Sequence, residues 1–216
     1  MNKILMRVSW VCVVVILTVG SRARAVEFTS TFSIDATNQL YEGEALVING
    51  CTGTVDGVHV FDALILTNGA MLTHSAGNST GMVLTVSNAV RIAADSRIDV
   101  SGRGILGGTS GECGGSYGGR GGNRNGTSMA TYGDFRDPSE AGTGGNDTDA
   151  SPTRGGGLVL LRAAELELNG GILANGVAGY SSYSGGGSGG GIRLDIGLLN
   201  GTGGITANGG NSGGSD

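Results

Sequence analysis

Three acidic pairs carry the side chains best suited to chemistry. Asp95 and Asp99 flank Arg97, Asp134 and Asp137 flank Arg136, and Asp147 stands two residues before Asp149. Paired carboxylates cleave glycosidic bonds by acid/base catalysis when their carboxyl groups lie about 5–9 Å apart. On a strand, positions i and i+4 share a face but are about 13 Å apart. Asp95 and Asp99 therefore miss that range unless Ala94-Asp95 forms a turn. The runs DFRDPSE (134–140) and NDTD (146–149) are rich in oxygen donors, and Ca2+ takes about six to eight oxygens. Asp134, Asp137, Asp147 and Asp149 are thus the candidate Ca2+ ligands, although neither run has EF-hand or calcium-nonapeptide spacing. No catalytic residue is assigned, and no cofactor beyond that candidate ion.

The other reactive groups are few. Cys51 and Cys113 lie beyond the N-terminal segment and are a candidate disulfide, with two separate thiols as the alternative. Zinc wants about four ligands at characteristic spacing, which these cysteines with His59 and His74 do not supply. His74, after Leu72-Thr73, reads as a strand-end residue. GGRGGNRNG (118–126) lacks the Lys-Ser/Thr ending of a phosphate loop.

The elements that must position these residues begin with an export signal. Lys3 and Arg7 precede a 13-residue apolar run, Val8 to Gly20, and Ala23-Arg24-Ala25 gives a small-x-small cleavage pattern. The cut is expected after Ala25. The run is short for a spanning helix, which needs about 20 apolar residues. No second such run follows, so no membrane span is expected after processing. Residues 26–216 carry nine Arg and no Lys against 18 acidic residues. A phosphate-binding basic surface is not expected, which argues against nucleic acid as the partner.

Glycine sets the class. Eight of the 45 glycines lie in residues 1–100 and 37 in residues 101–216. Only two prolines accompany them, and no Gly-X-Y period runs through the chain, so collagen is excluded. Apolar runs interrupt the glycine at intervals, and two segments repeat. Gly155–Gly179 and Gly189–Gly213 each open with GGG, continue as an alternating apolar run, and close on Gly-Ile-x-Ala-Asn-Gly. The Ala174-Asn175-Gly176 and Ala207-Asn208-Gly209 triplets are 33 residues apart. A looser copy, Gly81–Gly104, has Val100-Ser101-Gly102 in that place. Within each copy the period is two, as in strands. Further strands are expected at Ala45–Ile48, Thr54–Asp56, Val58–Phe61, Ala63–Leu66 and Ala70–His74. Helix is the alternative for Ala163–Leu168, boxed between Gly157 and Gly170.

These repeats predict an all-β parallel solenoid. Asn-Gly pairs would turn its corners with positive φ, and glycine-rich stretches such as Val177–Gly190 would be lateral loops. Residues 26–39 would cap the N-terminal edge. Arg103–Gly156 is read as a long glycine-rich insertion, functional or disordered.

GVHVFDALILTNGAMLTH, GGSYGGRGG, YGDFRDPSEAGTGG and the two GGG-led repeats resemble glycine-rich repeat regions of large bacterial secreted and cell-surface proteins. The likeness covers roughly residues 50–216. It implies a pectin-lyase-like right-handed parallel β-helix, and such regions are parts of longer chains, so residues 26–216 are read as an incomplete part of a longer solenoid. The expected function is a secreted or cell-surface structural or adhesive module without catalytic activity, whose loops contact glycans or proteins. The alternative is a carbohydrate-active enzyme, lyase or hydrolase, on the same scaffold. Asp95, Asp99, Asp134 and Asp137 converging in one groove would favour it.

Overall fold

The computed structural model describes residues 24–109, 111–134, 136–147, 152–180 and 182–214. The apolar run of the expected signal segment lies outside the described residues. Among those described, all regular structure is strand: β1 (Ala25–Phe28), β2 (Phe32–Ile34), β3 (Ala45–Asn49), β4 (Thr52–Val55), β5 (Gly57–Phe61), β6 (Ala63–Thr67), β7 (Met71–Thr73), β8 (Met82–Ile92), β9 (Arg97–Asp99), β10 (Glu112–Cys113), β11 (Asn123–Asn125), β12 (Leu158–Leu168), β13 (Gly171–Leu173), β14 (Gly191–Asn200) and β15 (Gly204–Thr206). The residues of the helical alternative, Ala163–Leu168, are part of β12. No helix among the described residues is long and apolar enough to cross a membrane.

The chain alternates between two open parallel sheets. One has the order β1-β3-β6-β8-β12-β14, with β5 also paired to β8; the other is β2-β4-β7-β9-β13-β15. Parallel neighbours within one sheet ordinarily need a long crossover, usually a helix. Here the chain returns through the second sheet, so short corners suffice; Asn169-Gly170 alone joins β12 to β13. The all-β class and the parallel pairing are as expected, and neither sheet closes on itself.

Register turns the alternating sequence pattern into columns. Leu46, Leu64, Val90 and Leu166 are successive partners in the first sheet, as are Ile48, Leu66, Ile92 and Leu168. In the second sheet Phe32, Gly53, Leu72, Ile98, Ile172 and Ile205 follow one another. Gly53 interrupts that column because the Phe32 ring fills the space a Cβ would need. Leu72, Ile98 and Ile172 are completely buried, whereas Ile205 on the last strand is 45% exposed. The 33-residue offset between the two repeats is the register of β12 with β14 and of β13 with β15.

Asn88 sits inside β8. A register shift there lets Ser87-Asn88 oppose Ala164. Asn88 donates Nδ2–H to Asp62 Oδ1 at 2.7 Å. Asp62 is the residue between β5 and β6, whose two strands cover successive halves of β8. The residues expected to form a cap hold two ordinary parallel strands, β1 and β2, closed by stacked Phe28 and Phe32 rings 3.7 Å apart.

Candidate functional site

The acidic candidates are held by separate partners. Asp95 accepts from Ser96 Oγ, and Asp99 from Arg97 Nε and Ser101 N–H. Asp134 accepts from the Arg136 N–H, while Asp137 pairs with Arg193 on β14. Asp147 is buried, its N–H donating to Gly108 O; Asp149 lies outside the described residues. Among the described residues no group of three or more His, Cys, Asp or Glu is brought together. The candidate disulfide is not formed: Cys51 and Cys113 are free thiols. They belong to different parts of the stack, Cys51 donating to Phe28 O at 3.3 Å and Cys113 lying on β10.

Both histidines tie strands to loops. His59 is buried, its Nδ1 2.7 Å from Glu42 Oε1 and its Nε2 3.1 Å from Asp56 O. His74 is also buried; Nδ1–H donates to Ser75 O at 2.8 Å, and Nε2 accepts from Leu158 N–H at 3.1 Å. That arrangement satisfies the neutral ring. Burial pushes the His74 pKa below its ordinary 6.5, against the Ser75 carbonyl and the Asp56 charge, which raise it.

The feature that sequence reading missed is a packed glycine layer. Segments 104–108, 113–116, 141–147, 153–157, 174–179, 184–191 and 207–213 lie side by side, with no ladder strand among most of them. Their hydrogen bonds fan out with a period of three. Gly185 and Ser188 donate to Asn146 and Thr143, whereas Gly187 and Gly190 donate to Val177 and Ala174. Thr143 and Asn146 donate in turn to Ser116 and Cys113, and Gly176 and Gly179 to Asn208 and Asn211. Three residues per turn without internal hydrogen bonds is the geometry of the polyproline II helix. Packing such helices leaves no room for side chains: a Cβ on Gly156 would collide with Ala174 O, and one on Gly190 with Gly157 O. Sequence carried one trace of this, the spacing of three between Gly142 and Gly145, Gly176 and Gly179, and Gly187 and Gly190.

This layer changes two expectations. Val177–Gly190 is not a loop standing off the stack, since it supplies two of the packed segments. Gly176 and Gly209 do not turn corners with positive φ, but other Asn-Gly pairs do: Gly50, Gly69 and Gly201 follow Asn49, Asn68 and Asn200 at φ 66°, 76° and 107°, and Asn68 itself has φ 57°. Gly176 is instead required because a Cβ there would meet Gly187 O. The triplets do stack as their alignment implies. Asn175 N–H donates to Ser101 Oγ at 3.1 Å, and Asn208 N–H to Asn175 Oδ1 at 2.8 Å.

The Arg103–Gly156 segment supplies four of the packed segments. Its excursion is anchored by Tyr117 and Tyr132, whose ring centroids are 5.2 Å apart. Tyr132 donates its hydroxyl to Ala141 O at 2.5 Å, and burial pushes its pKa up to about 12.

A groove of about 920 Å³ opens on the layer. Its floor is Ser184–Gly190; its walls are the β10–β11 hairpin with Gly118–Gly122 on one side and Ala207–Gly214 on the other. Arg124 closes one end, 4.7 Å from the Tyr183 ring centroid and 3.5 Å from Glu112 Oε2, with Nη1 donating to Ser182 O. At the other end, Gly190 and Ala207 lead into a second hollow that includes Ile192, Leu194 and Ile205.

No family model, curated protein or solved structure matches the chain.

Proposed function

We propose that the chain is an exported structural or adhesive module built as a right-handed parallel β-helix, with no catalytic activity of its own. The observation that carries this reading is the register. Ile98, Ile172 and Ile205 are successive partners in one sheet while β8, β12 and β14 are successive partners in the other. A chain that alternates between two parallel sheets builds a stiff column, because each turn buries the apolar face of the last. The glycine layer stiffens the side of that column with main-chain hydrogen bonds. Such a column displays loops at fixed spacing, which suits contact with glycans or proteins at a cell surface. The charge and apolar pattern of residues 1–25 supports export.

The test is a paired assay on the purified protein from Val26 onward. Immobilised on beads, it should retain cells or a glycan from an array, and it should release neither unsaturated nor reducing ends from acidic and neutral polysaccharides. Turnover of a polysaccharide that is lost in Asp99→Asn or Asp137→Asn would replace the module by the enzyme.

A further inference from the structure

The floor of the glycine groove has a set of donors left over from the period of three. Gly185 and Ser188 point to one neighbouring segment, and Gly187 and Gly190 to another. The third set, Gly186 and Gly189, donates to no described residue, and both residues line the groove. The wall repeats this arrangement. Gly210 and Gly213 donate to Gly187 and Ser184, while Gly209 and Ser212 line the groove without a described acceptor. Two tracks of main-chain donors three residues apart, without described acceptors, therefore line one groove. In the polyproline II conformation, carbonyls three residues apart recur every ~9.3 Å along the chain, matching donors spaced in the same way.

The slot continues into an open strand edge. Beyond Gly190 runs β14, whose far edge carries no partner among the described strands. Leu198, Leu199 and Ile205 are exposed beside it, at 53%, 55% and 45%. The neighbouring repeat shows how such a slot is filled: Gly190 donates to Ala174, Gly191 to Gly157, and β14 then pairs along β12. We infer that the groove and the β14 edge form one binding site for a polypeptide segment of this same pattern, a glycine run in polyproline II conformation followed by an alternating apolar strand parallel to β14. The occupant is a further repeat of the 33-residue kind. Its carbonyls accept from Gly186, Gly189, Gly209 and Ser212. Glycine is required where it faces the floor, since a side chain there meets main chain. This inference rests on the stacked-repeat reading of the module.

The experiment uses the protein from Val26 onward and a fluorescein-labelled synthetic peptide with the sequence of residues 185–200, GGGSGGGIRLDIGLLN. Fluorescence anisotropy reads the binding. Saturable binding that is at least tenfold weaker for a peptide of scrambled order is expected. The groove is then filled from its walls. A Cβ at Gly122 meets nothing within 4 Å, and at Gly209 only Gly187 O at 3.7 Å. Gly122→Leu and Gly209→Leu should leave the melting temperature within a few degrees and weaken the peptide tenfold or more. Equal binding of the scrambled peptide, no binding at millimolar peptide, or binding unchanged in both well-folded variants would overturn the site. The bead and polysaccharide assays read the module separately, so failure here leaves that reading standing.

Discussion

His74 accepts the main-chain N–H of Leu158 across 84 residues of sequence. The bond joins the loop after β7 to the first residue of β12, so it locks the stacked strands of the first half onto the repeats of the second. Gly157 is glycine because a Cβ there would strike His74 Nε2. Breaking the bond leaves a buried N–H unsatisfied, at about 1–3 kcal/mol. His74→Ala should cost at least that much in denaturant unfolding, and the cavity adds to it.

The same residue sets a pH dependence. Burial lowers the folded pKa of His74 below 6.5. The unfolded chain then binds the extra proton first as pH falls, so stability is full above about 6.5 and declines below it. Urea unfolding of the wild type and of His74→Gln between pH 7.5 and 5 checks the sign. The stability difference between the two should shrink as the pH drops.

Asp56 acts at a lower pH. Burial opposes its charge, but hydrogen bonds from Ser75 Oγ, Ser75 N–H and Asn78 Nδ2 win and hold its pKa below 3.8. Its contribution is present above pH 3.8 and lost as pH falls through the depressed folded value. Asp56→Ala should destabilise the protein by roughly 1–3 kcal/mol at pH 7, and by less at pH 2–3.

The glycine layer predicts opposite outcomes for one substitution at two sites. Gly156→Ala places a methyl group against Ala174 O, whereas Gly119→Ala meets nothing within 4 Å. Overpacking typically costs about 1–3 kcal/mol and more against rigid main chain. Thermal unfolding should show a loss of this size or larger for Gly156→Ala and almost none for Gly119→Ala.

Export is checked by N-terminal sequencing of the protein recovered from the medium. The first residue should be Val26. A cut there removes Ala25, the first residue of β1, and leaves the pairs Val26–Leu46, Glu27–Val47 and Phe28–Ile48.

The strands were legible because their side chains alternate. Val83 to Val86, Ala63 to Leu66 and the Gly-Ile-x-Ala-Asn-Gly repeats announce both the parallel columns and their 33-residue register. Ser101, Asn175 and Asn208 stack on one another at equivalent positions, as the alignment of three copies implies. The glycine layer was not legible in the same way. Residues such as Gly186 and Gly189 carry no hydropathy, so a period written in main-chain donors leaves almost no mark on the sequence. Those stretches read as loops, and the groove lies in them. Asn88 is a polar residue inside a strand, and the bulge that accommodates it places its side chain on Asp62, 26 residues earlier, which local sequence pattern does not announce.

Stacking of the repeats in register is the central claim. A methyl NOESY spectrum of isoleucine-labelled protein tests it most directly, since adjacent parallel strands are about 4.8 Å apart. Strong cross-peaks from Ile172 to both Ile98 and Ile205, with little or none between Ile98 and Ile205, are predicted. Absence of the Ile172 cross-peaks in a folded protein would contradict the stack.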